Sequence, residues 1–367
     1  MPARNTSRPS GMVYIMTNSS ENNAVAAFRR KGDGTLSLMN LYSTRGQGTG
    51  THEVSDATPD DGVDTLASQG SLVLSGDRNL LFAVNAGSHS ISSFKVAEDG
   101  TLALVDTVLS GGLQPNCLGV HRDVLYVANV GGPANGFASN ISGYYVSREG
   151  RLAGIMASSR LLSTQTAQPA CVVFSPDGSQ LAVTELTTNH ISVYRINRDG
   201  TAAGPMVNDS SGSAPFGAVF LPSGLLLVAE AGANALTSYS LFSNGMLRVI
   251  SGSVRNGQMA TCWVAHTPNG SFAYTSNAGS GTISAYRLGA NGELSYLDSV
   301  GSTPSGTVMG VPIDIGVSRD GQNLYALNGN QGSISVFSIG ANGRLSRIQV
   351  IDRIEIPNLG AQGLAVL

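Results

Sequence analysis

From residue 12 onward, apolar and polar positions alternate in short runs broken by glycine. The stretch "NAGSGTISAYRLGANGELSYL" (277–297) returns as "NAGSHSISSFKVAEDGTLALV" (85–105) and "NGNQGSISVFSIGANGRLSRI" (328–348). Period-two alternation with β-branched and aromatic side chains is strand chemistry. Inside the unit, "GANGEL" places Asn-Gly between two strands, and "GDGTL", "EDGTL", "RDGT" and "SNGML" do the same elsewhere. Such pairs suit tight hairpins that need positive φ. No segment holds an apolar stripe at helical spacing, so the chain reads as all-β.

Aligning the aromatic residue of the third strand gives seven copies: Phe28, Phe94, Tyr144, Tyr194, Tyr239, Tyr286 and Phe337. A second strand precedes each ("LLFAVN", "VLYVAN", "QLAVTE"), and a first strand precedes most of those ("CLGVH", "CVVFSPD", "WVAHTP"). Seven units of four strands, each of about 40–55 residues, predict a seven-bladed β-propeller. The first unit, at "MVYIMTN", lacks its own first strand, while the chain ends on a spare "GAQGLAVL". The C-terminal strand is therefore expected to pair with the N-terminal blade and close the ring, leaving no open edge. Residues 12–367 are expected to form one propeller domain, and the polar residues 1–11 a disordered tail.

Composition narrows the partners. Charged residues are 12% of the chain and the net charge is −3, with no basic block, so neither nucleic acid nor an anionic membrane is expected as a partner. Apolar runs are far shorter than the ~20 residues that span a bilayer. The first eleven residues contain no hydrophobic segment, and three cysteines cannot make a disulfide framework. Both features favour a cytoplasmic protein. Five Asn-x-Ser/Thr sites, such as Asn140 and Asn269, point the other way, toward a secreted form whose signal has been removed.

Candidate chemistry lies where copies depart from the repeat. The unit's leading Asn, as in Asn85, Asn277 and Asn328, ends the second strand and suits a turn. In two adjacent blades it is replaced by Glu185 and Glu230. Paired carboxylates at the axial mouth can work as acid and base or bind a cation such as Ca²⁺; they can also accept backbone N–H groups. The inner strands begin at Ser71, Cys117, Cys171, Gly217, Trp263, Asp314 and Leu364, behind Gln69, Asn116, Phe216 and Gln362. That ring predicts a mostly apolar pocket with a few polar points, the build of a small-molecule site. Phe216 and Trp263 would form its walls, and Asn116, Cys171, Gln69 and Asn277 would line it. Three long connections, 43–67, 130–140 and 301–312, would overhang the same face. The first carries His52, Glu53 and a cluster of Asp.

No His-x-x-His, Cys-x-x-Cys or Gly-x-Ser-x-Gly pattern occurs, so no metal, cofactor or serine nucleophile is expected. Cys171 has no basic neighbour in sequence and reads as a small buried hydrophobe.

"QPACVVFSPDGSQLAVTELTTNHISVYRINRDG" (168–200) and "TCWVAHTPNGSFAYTSNAGSGTISAYRL" (261–288) resemble the lactonase-type seven-bladed propellers, which include 6-phosphogluconolactonases and carboxymuconate cyclases. The resemblance runs from residue 12 to 367 and implies a propeller acting on a small organic molecule. Phosphogluconolactonases of this type carry Pro-Arg-His entering the inner strand matched by "QPACVVFSP". Here the Arg place is Ala170 and the His place is Cys171, so the phosphate-holding guanidinium and the imidazole base are missing. Glu185 matches a Glu of the family's "NEL" segment.

Three readings follow. The first is a cyclase or isomerase that closes or rearranges a ring, pericyclic steps included, with Glu185, Glu230 or Asp314 moving a proton and Phe216 and Trp263 shaping the substrate. The second is a lactone hydrolase for a non-phosphorylated substrate, with His52, Glu185 or Glu230 activating water. The third is a propeller that binds a ligand or protein without turnover.

Overall fold

The computed structural model describes residues 11–55, 59–132, 138–352 and 355–367, which form seven antiparallel sheets around one axis. Six sheets have four strands. In the third blade the outer strand is broken into Leu152–Gly154 and Arg160–Leu161. The described residues contain no α-helix, only a three-residue 3₁₀ turn at Ala278–Ser280. Of the expected tail, all but Gly11 lies outside the described residues.

The seven inner strands are Leu364–Val366, Leu72–Leu74, Pro115–His121, Pro169–Phe174, Pro215–Phe220, Thr261–His266 and Pro312–Val317. Each packs on the next to complete a circle. The blades are apolar on both faces because each is covered on both sides, as in "LLFAVN" at Leu80–Asn85, where every residue is buried.

Blades are numbered 1 to 7 from the N-terminus. Repeated side-chain bonds tie each to its neighbour. Tyr14, Tyr126 and Tyr274, in second strands, donate their hydroxyls to the turn carbonyls of Gly100, Gly200 and Gly343 in the following blade, at 2.8, 2.8 and 3.0 Å. Each such buried bond contributes about 1 kcal/mol. On the opposite face, turn residues cap the loops that enter the inner strands. Within blade 7 Asn330 accepts the amide of Val311, while Asn189 and Asn234 reach the next blade and accept those of Ala214 and Ala260. His89 does the same for Gln114 through Nδ1, at 3.1 Å.

The ring closes as the repeat predicts. Val13, Tyr14 and Ile15 pair with Val366, Ala365 and Leu364, so the last strand becomes the inner strand of blade 1. Outside the sheet, Arg30 of blade 1 meets Asp320 of blade 7 at 2.7 Å, and Tyr325 Oη donates to the Gly34 carbonyl at 3.4 Å.

Candidate active site

The long connection between blades 1 and 2 does not simply overhang the axis; its end crosses the axis as a roof. Asn18 anchors it through Thr49 and Thr65, at 3.1 and 3.0 Å. Ser55 hydrogen-bonds Gln168 at the entry to blade 4. The segment then descends through Asp64–Gln69. Its Leu66 amide donates to Gln362 Oε1 at 2.8 Å, and Ser68 Oγ donates to the Asn116 carbonyl at 2.7 Å.

Gln69 is a crossbar on the axis. Its backbone amide donates to the Ala170 carbonyl in blade 4 at 2.8 Å. Its side chain accepts from Val264 N in blade 6 at 2.8 Å and donates to the carbonyls of Val264 and Ala218 at 3.1 and 3.4 Å. The inner strand of blade 5 has Gly217 where this amide passes; a Cβ there would lie 2.1 Å from Gln69 Oε1.

Under the roof, Phe216 and Trp263 pack edge to face with centroids 4.9 Å apart. They are 1% and 0% exposed, and Trp263 Nε1 donates to the Ser68 carbonyl at 3.0 Å. Asn116 donates to the carbonyls of Leu66 and Pro169. Its Oδ1 and the Ser71 hydroxyl are buried with no hydrogen-bond partner among the described residues. Buried polar atoms of this kind are exceptional and mark places where a further polar group can be received.

The acidic centre is Asp64 with Asp314. Asp314 sits in the inner strand of blade 7 at φ +67°, a costly left-handed conformation for a residue with a Cβ. Its two oxygens accept the amides of Ile315 and Leu364, at 3.0 and 2.8 Å. Burial raises its carboxyl to about 7 against the opposing pull of those two amides. Asp64 accepts from Gln362 Nε2 at 2.7 Å. Its carboxyl is pushed well above the ordinary range, first by burial, with the charges of Glu53 and Asp314 adding to the effect. The Asp64 residue is partly exposed, while its carboxyl group lies deep in the fold. The pair therefore combines a displaced proton affinity with partial exposure of one member, a combination found at acid–base sites.

Of the residues singled out from the sequence, Gln69, Asn116, Phe216, Trp263 and Asp314 converge at this axial layer. Cys171 joins them: it bridges to Gln69 in parallel pairing and its thiol lies 3.5 Å from the Ala218 carbonyl. Burial pushes that thiol up to about 12, which keeps it protonated and a poor nucleophile. Burial likewise raises the thiols of Cys117 and Cys262. His52 is exposed on the roof.

Glu185, Glu230 and Asn277 hold their own blades together. In three of the blades with Asn, the amide of residue i donates to the hydroxyl of residue i+7: Asn85 to Ser92, Asn277 to Ser284 and Asn328 to Ser335. Where the residue is Glu, the hydroxyl donates instead: Ser192 to Glu185 at 2.5 Å and Thr237 to Glu230 at 2.7 Å. The longer side chain also takes a loop amide, from Ser163 for Glu185 and Gly212 for Glu230. Both glutamates are 0% exposed.

Asp64 is the residue that single-position reasoning passed over, as one member of the acidic cluster "TPDDGVD". Its partner Gln362 carried the available signal, because it holds the same place before blade 1's inner strand as Gln69 holds before blade 2's.

Below the crossbar, the axis opens on the opposite face as a cavity of about 460 Å³, whose walls include Leu118, Val172, Phe174, Phe220, His121 and His266. No group of three or more His, Cys, Asp or Glu residues among those described is placed to hold a metal ion. No helix of the described residues is long and apolar enough to cross a membrane.

The chain matches the family described as "Lactonase, 7-bladed beta-propeller" over residues 53–355. A curated, uncharacterised protein of Lactococcus lactis subsp. cremoris (strain MG1363) is 24% identical over 190 residues, 48% of this chain and 55% of that one. The chain thus spans about half the length of this curated relative. Among solved structures, the periplasmic gluconolactonase PpgL of Pseudomonas aeruginosa is 18% identical, with 97% of this chain and 99% of that one covered at a TM-score of 0.75. A Lactobacillus plantarum protein is 17% identical with the same coverage and a TM-score of 0.75. At these identities the structural likeness concerns the fold.

Proposed function

Because the chain belongs to the lactonase family of seven-bladed β-propellers, we propose that it is an enzyme opening the ring of a small, uncharged lactone by acid–base catalysis at Asp64 and Asp314. The observation that carries this reading is the pair itself: two axial carboxyl groups, both displaced upward by burial, one of them on a partly exposed residue. Asp314, held by two backbone amides, is the group that ionises near neutrality and acts as base toward water. Asp64, whose carboxyl is raised by burial and by the charges of Glu53 and Asp314, takes the part of the acid. The Asp314 carboxylate takes a proton from the attacking water, the hydroxide adds to the lactone carbonyl, and the ester C–O bond breaks as Asp64 protonates the departing oxygen. Asp314 then returns its proton to Asp64 through solvent, restoring both groups. General acid–base catalysis of this kind contributes about 10²–10⁴-fold per group.

The surroundings favour an uncharged substrate. At the position where the family's phosphate-binding Arg would stand, Ala170 offers only its carbonyl, occupied by Gln69, while Gln168 is engaged by Ser55. Phe216 and Trp263, buried under the roof, give the layer apolar surroundings, and Asn116 Oδ1 supplies a hydrogen-bond acceptor.

A second reading, ring closure or rearrangement by a cyclase or isomerase, draws support from the full burial of Phe216 and Trp263. A dry aromatic wall holds a substrate in a reactive conformation and keeps water away. Turnover of a panel of alkyl and aryl lactones in ¹⁸O-water separates the two. Ring-opened acid carrying one heavy oxygen is the result expected for hydrolysis. A new cyclic product from an open-chain acid, with no heavy oxygen, supports the second reading. Lactones and acids all recovered unchanged contradict both.

A further inference from the structure

The face opposite the roof holds a second constellation, unconnected with the axial carboxyl groups. Where blades 1, 2 and 7 meet, a cavity of about 380 Å³ gathers three guanidinium groups: Arg30, Arg78 and Arg319. Arg30 is matched, to Asp320 Oδ2 and Asn323 Oδ1, both at 2.7 Å. Arg78 and Arg319 are not matched in this way. Arg78 occupies the turn after the inner strand of blade 2 at φ +62°, and its Nη1 is buried with no hydrogen-bond partner among the described residues. Arg319 stands close enough for the two positive charges to oppose each other; burial and this neighbour hold the Arg78 guanidinium below the usual arginine value. Arginine remains charged throughout the physiological range. A buried cationic N–H with no acceptor, placed beside a like charge, is unfavourable on both counts.

The acids around this cavity do not relieve that conflict. The Asp77 oxygens accept from Ser75 and Asn79 within their own turn, and those of Asp320 accept from Arg30, Ser318 and Gln322. Glu98 stands exposed at the rim. The group that would satisfy Arg78 and Arg319 together is an external anion with two or more oxygens, which a guanidinium recognises through parallel N–H bonds. The volume exceeds what an inorganic ion needs, and Val96 gives one wall apolar character.

We propose that this seam cavity binds a small organic anion, its carboxylate or phosphate monoester head bridging Arg78 and Arg319 and its carbon portion lying against Val96. Because Arg78 belongs to blade 2 and Arg319 to blade 7, the bound anion spans the closing blade from one side to the other. It thereby ties together the three blades at which the circle is completed and stabilises the ring by mass action.

The test is isothermal titration of the full chain with sodium phosphate and, separately, sodium acetate at constant ionic strength. Saturable heat is expected from at least one. Phosphate alone assigns a phosphate ester; acetate, alone or with phosphate, assigns a carboxylate head. Arg78→Gln and Arg319→Gln should each weaken binding about tenfold or more, and Glu98→Gln should strengthen it. Arg319 is exposed, so its variant keeps the fold and decides the matter if Arg78→Gln does not. Heat from neither anion, or undiminished binding in Arg319→Gln, overturns the proposal.

Discussion

The side-chain amide of Gln362 donates to Asp64 at 2.7 Å, across 298 residues of sequence. Two positions on, the Leu364 amide donates to Asp314 at 2.8 Å. One turn of the C-terminal tail therefore holds both axial carboxyl groups, and the strand that closes the ring is also the strand that positions the site. Between the two donors stands Gly363, at φ +107°, where a Cβ would lie 2.7 Å from Ser71 Oγ.

Gly363→Ala is accordingly expected to cost about 2–4 kcal/mol of stability, from the unfavourable backbone and the close approach together. Urea denaturation checks this; a loss under 0.5 kcal/mol would show that the tail bends without penalty.

Gln69→Leu removes one acceptor and one donor from the axis and leaves the Val264 amide buried without its 2.8 Å partner. The expected loss is about 2–4 kcal/mol, measured the same way. A neutral outcome would mean that the crossbar contributes nothing to holding blades 4, 5 and 6 together.

Glu185 and Glu230 each collect hydroxyl and backbone donors inside a blade. Glu230→Ala should cost about 2–4 kcal/mol, because Gly212 N–H and the Thr237 hydroxyl lose their acceptor. The folded fraction should turn over lactones as the parent does, if the axial pair alone carries the proposed reaction. Intact stability with abolished turnover would move this carboxylate from scaffold to mechanism.

Asp314 gives stability a pH dependence of known sign. Its carboxyl titrates at about 7 in the folded chain and near 4 in an unfolded one. Between those values the native state holds a proton that the unfolded state has released, so stability falls as pH rises from about 4 to 7. Asp314→Asn cannot ionise, and Asn tolerates left-handed backbone. Its side chain offers one oxygen to the two backbone amides of Ile315 and Leu364. The variant should therefore be less stable than the parent by about 1–3 kcal/mol at pH 5 and recover part of that deficit by pH 8, where the parent carries a buried charge. Thermal unfolding at the two pH values reads the difference; an unchanged deficit contradicts the burial argument.

Much of this molecule is written locally. The aromatic of each third strand, the turn glycines and the spare "GAQGLAVL" specify blades and closure, because strand periodicity and turn chemistry act over a few residues. The inner-strand alignment likewise brings Gln69, Asn116, Phe216, Trp263 and Asp314 to one axis. The roof is different. Segment 43–67 has no periodicity, and its path depends on distant partners such as Asn18, Gln168 and Gln362. Asp64 therefore could not be told from its acidic neighbours. The glutamates show the reverse case. Their hydrogen-bonding pattern was legible in the hydroxyl seven residues on, shared by Asn85, Glu185, Glu230, Asn277 and Asn328, but only once the residues are compared as pairs and not singly.

The central claim, proton transfer by the axial pair, is tested most directly by the pH profile of lactone turnover in the parent chain and in Asp314→Asn. The parent is expected to show kcat/KM rising with pH through a limb near 7, where Asp314 ionises. Asp314→Asn should lose that limb and at least about 100-fold in rate while remaining folded. Parent-like turnover with the same limb in Asp314→Asn would contradict the account and place the chemistry elsewhere in the propeller.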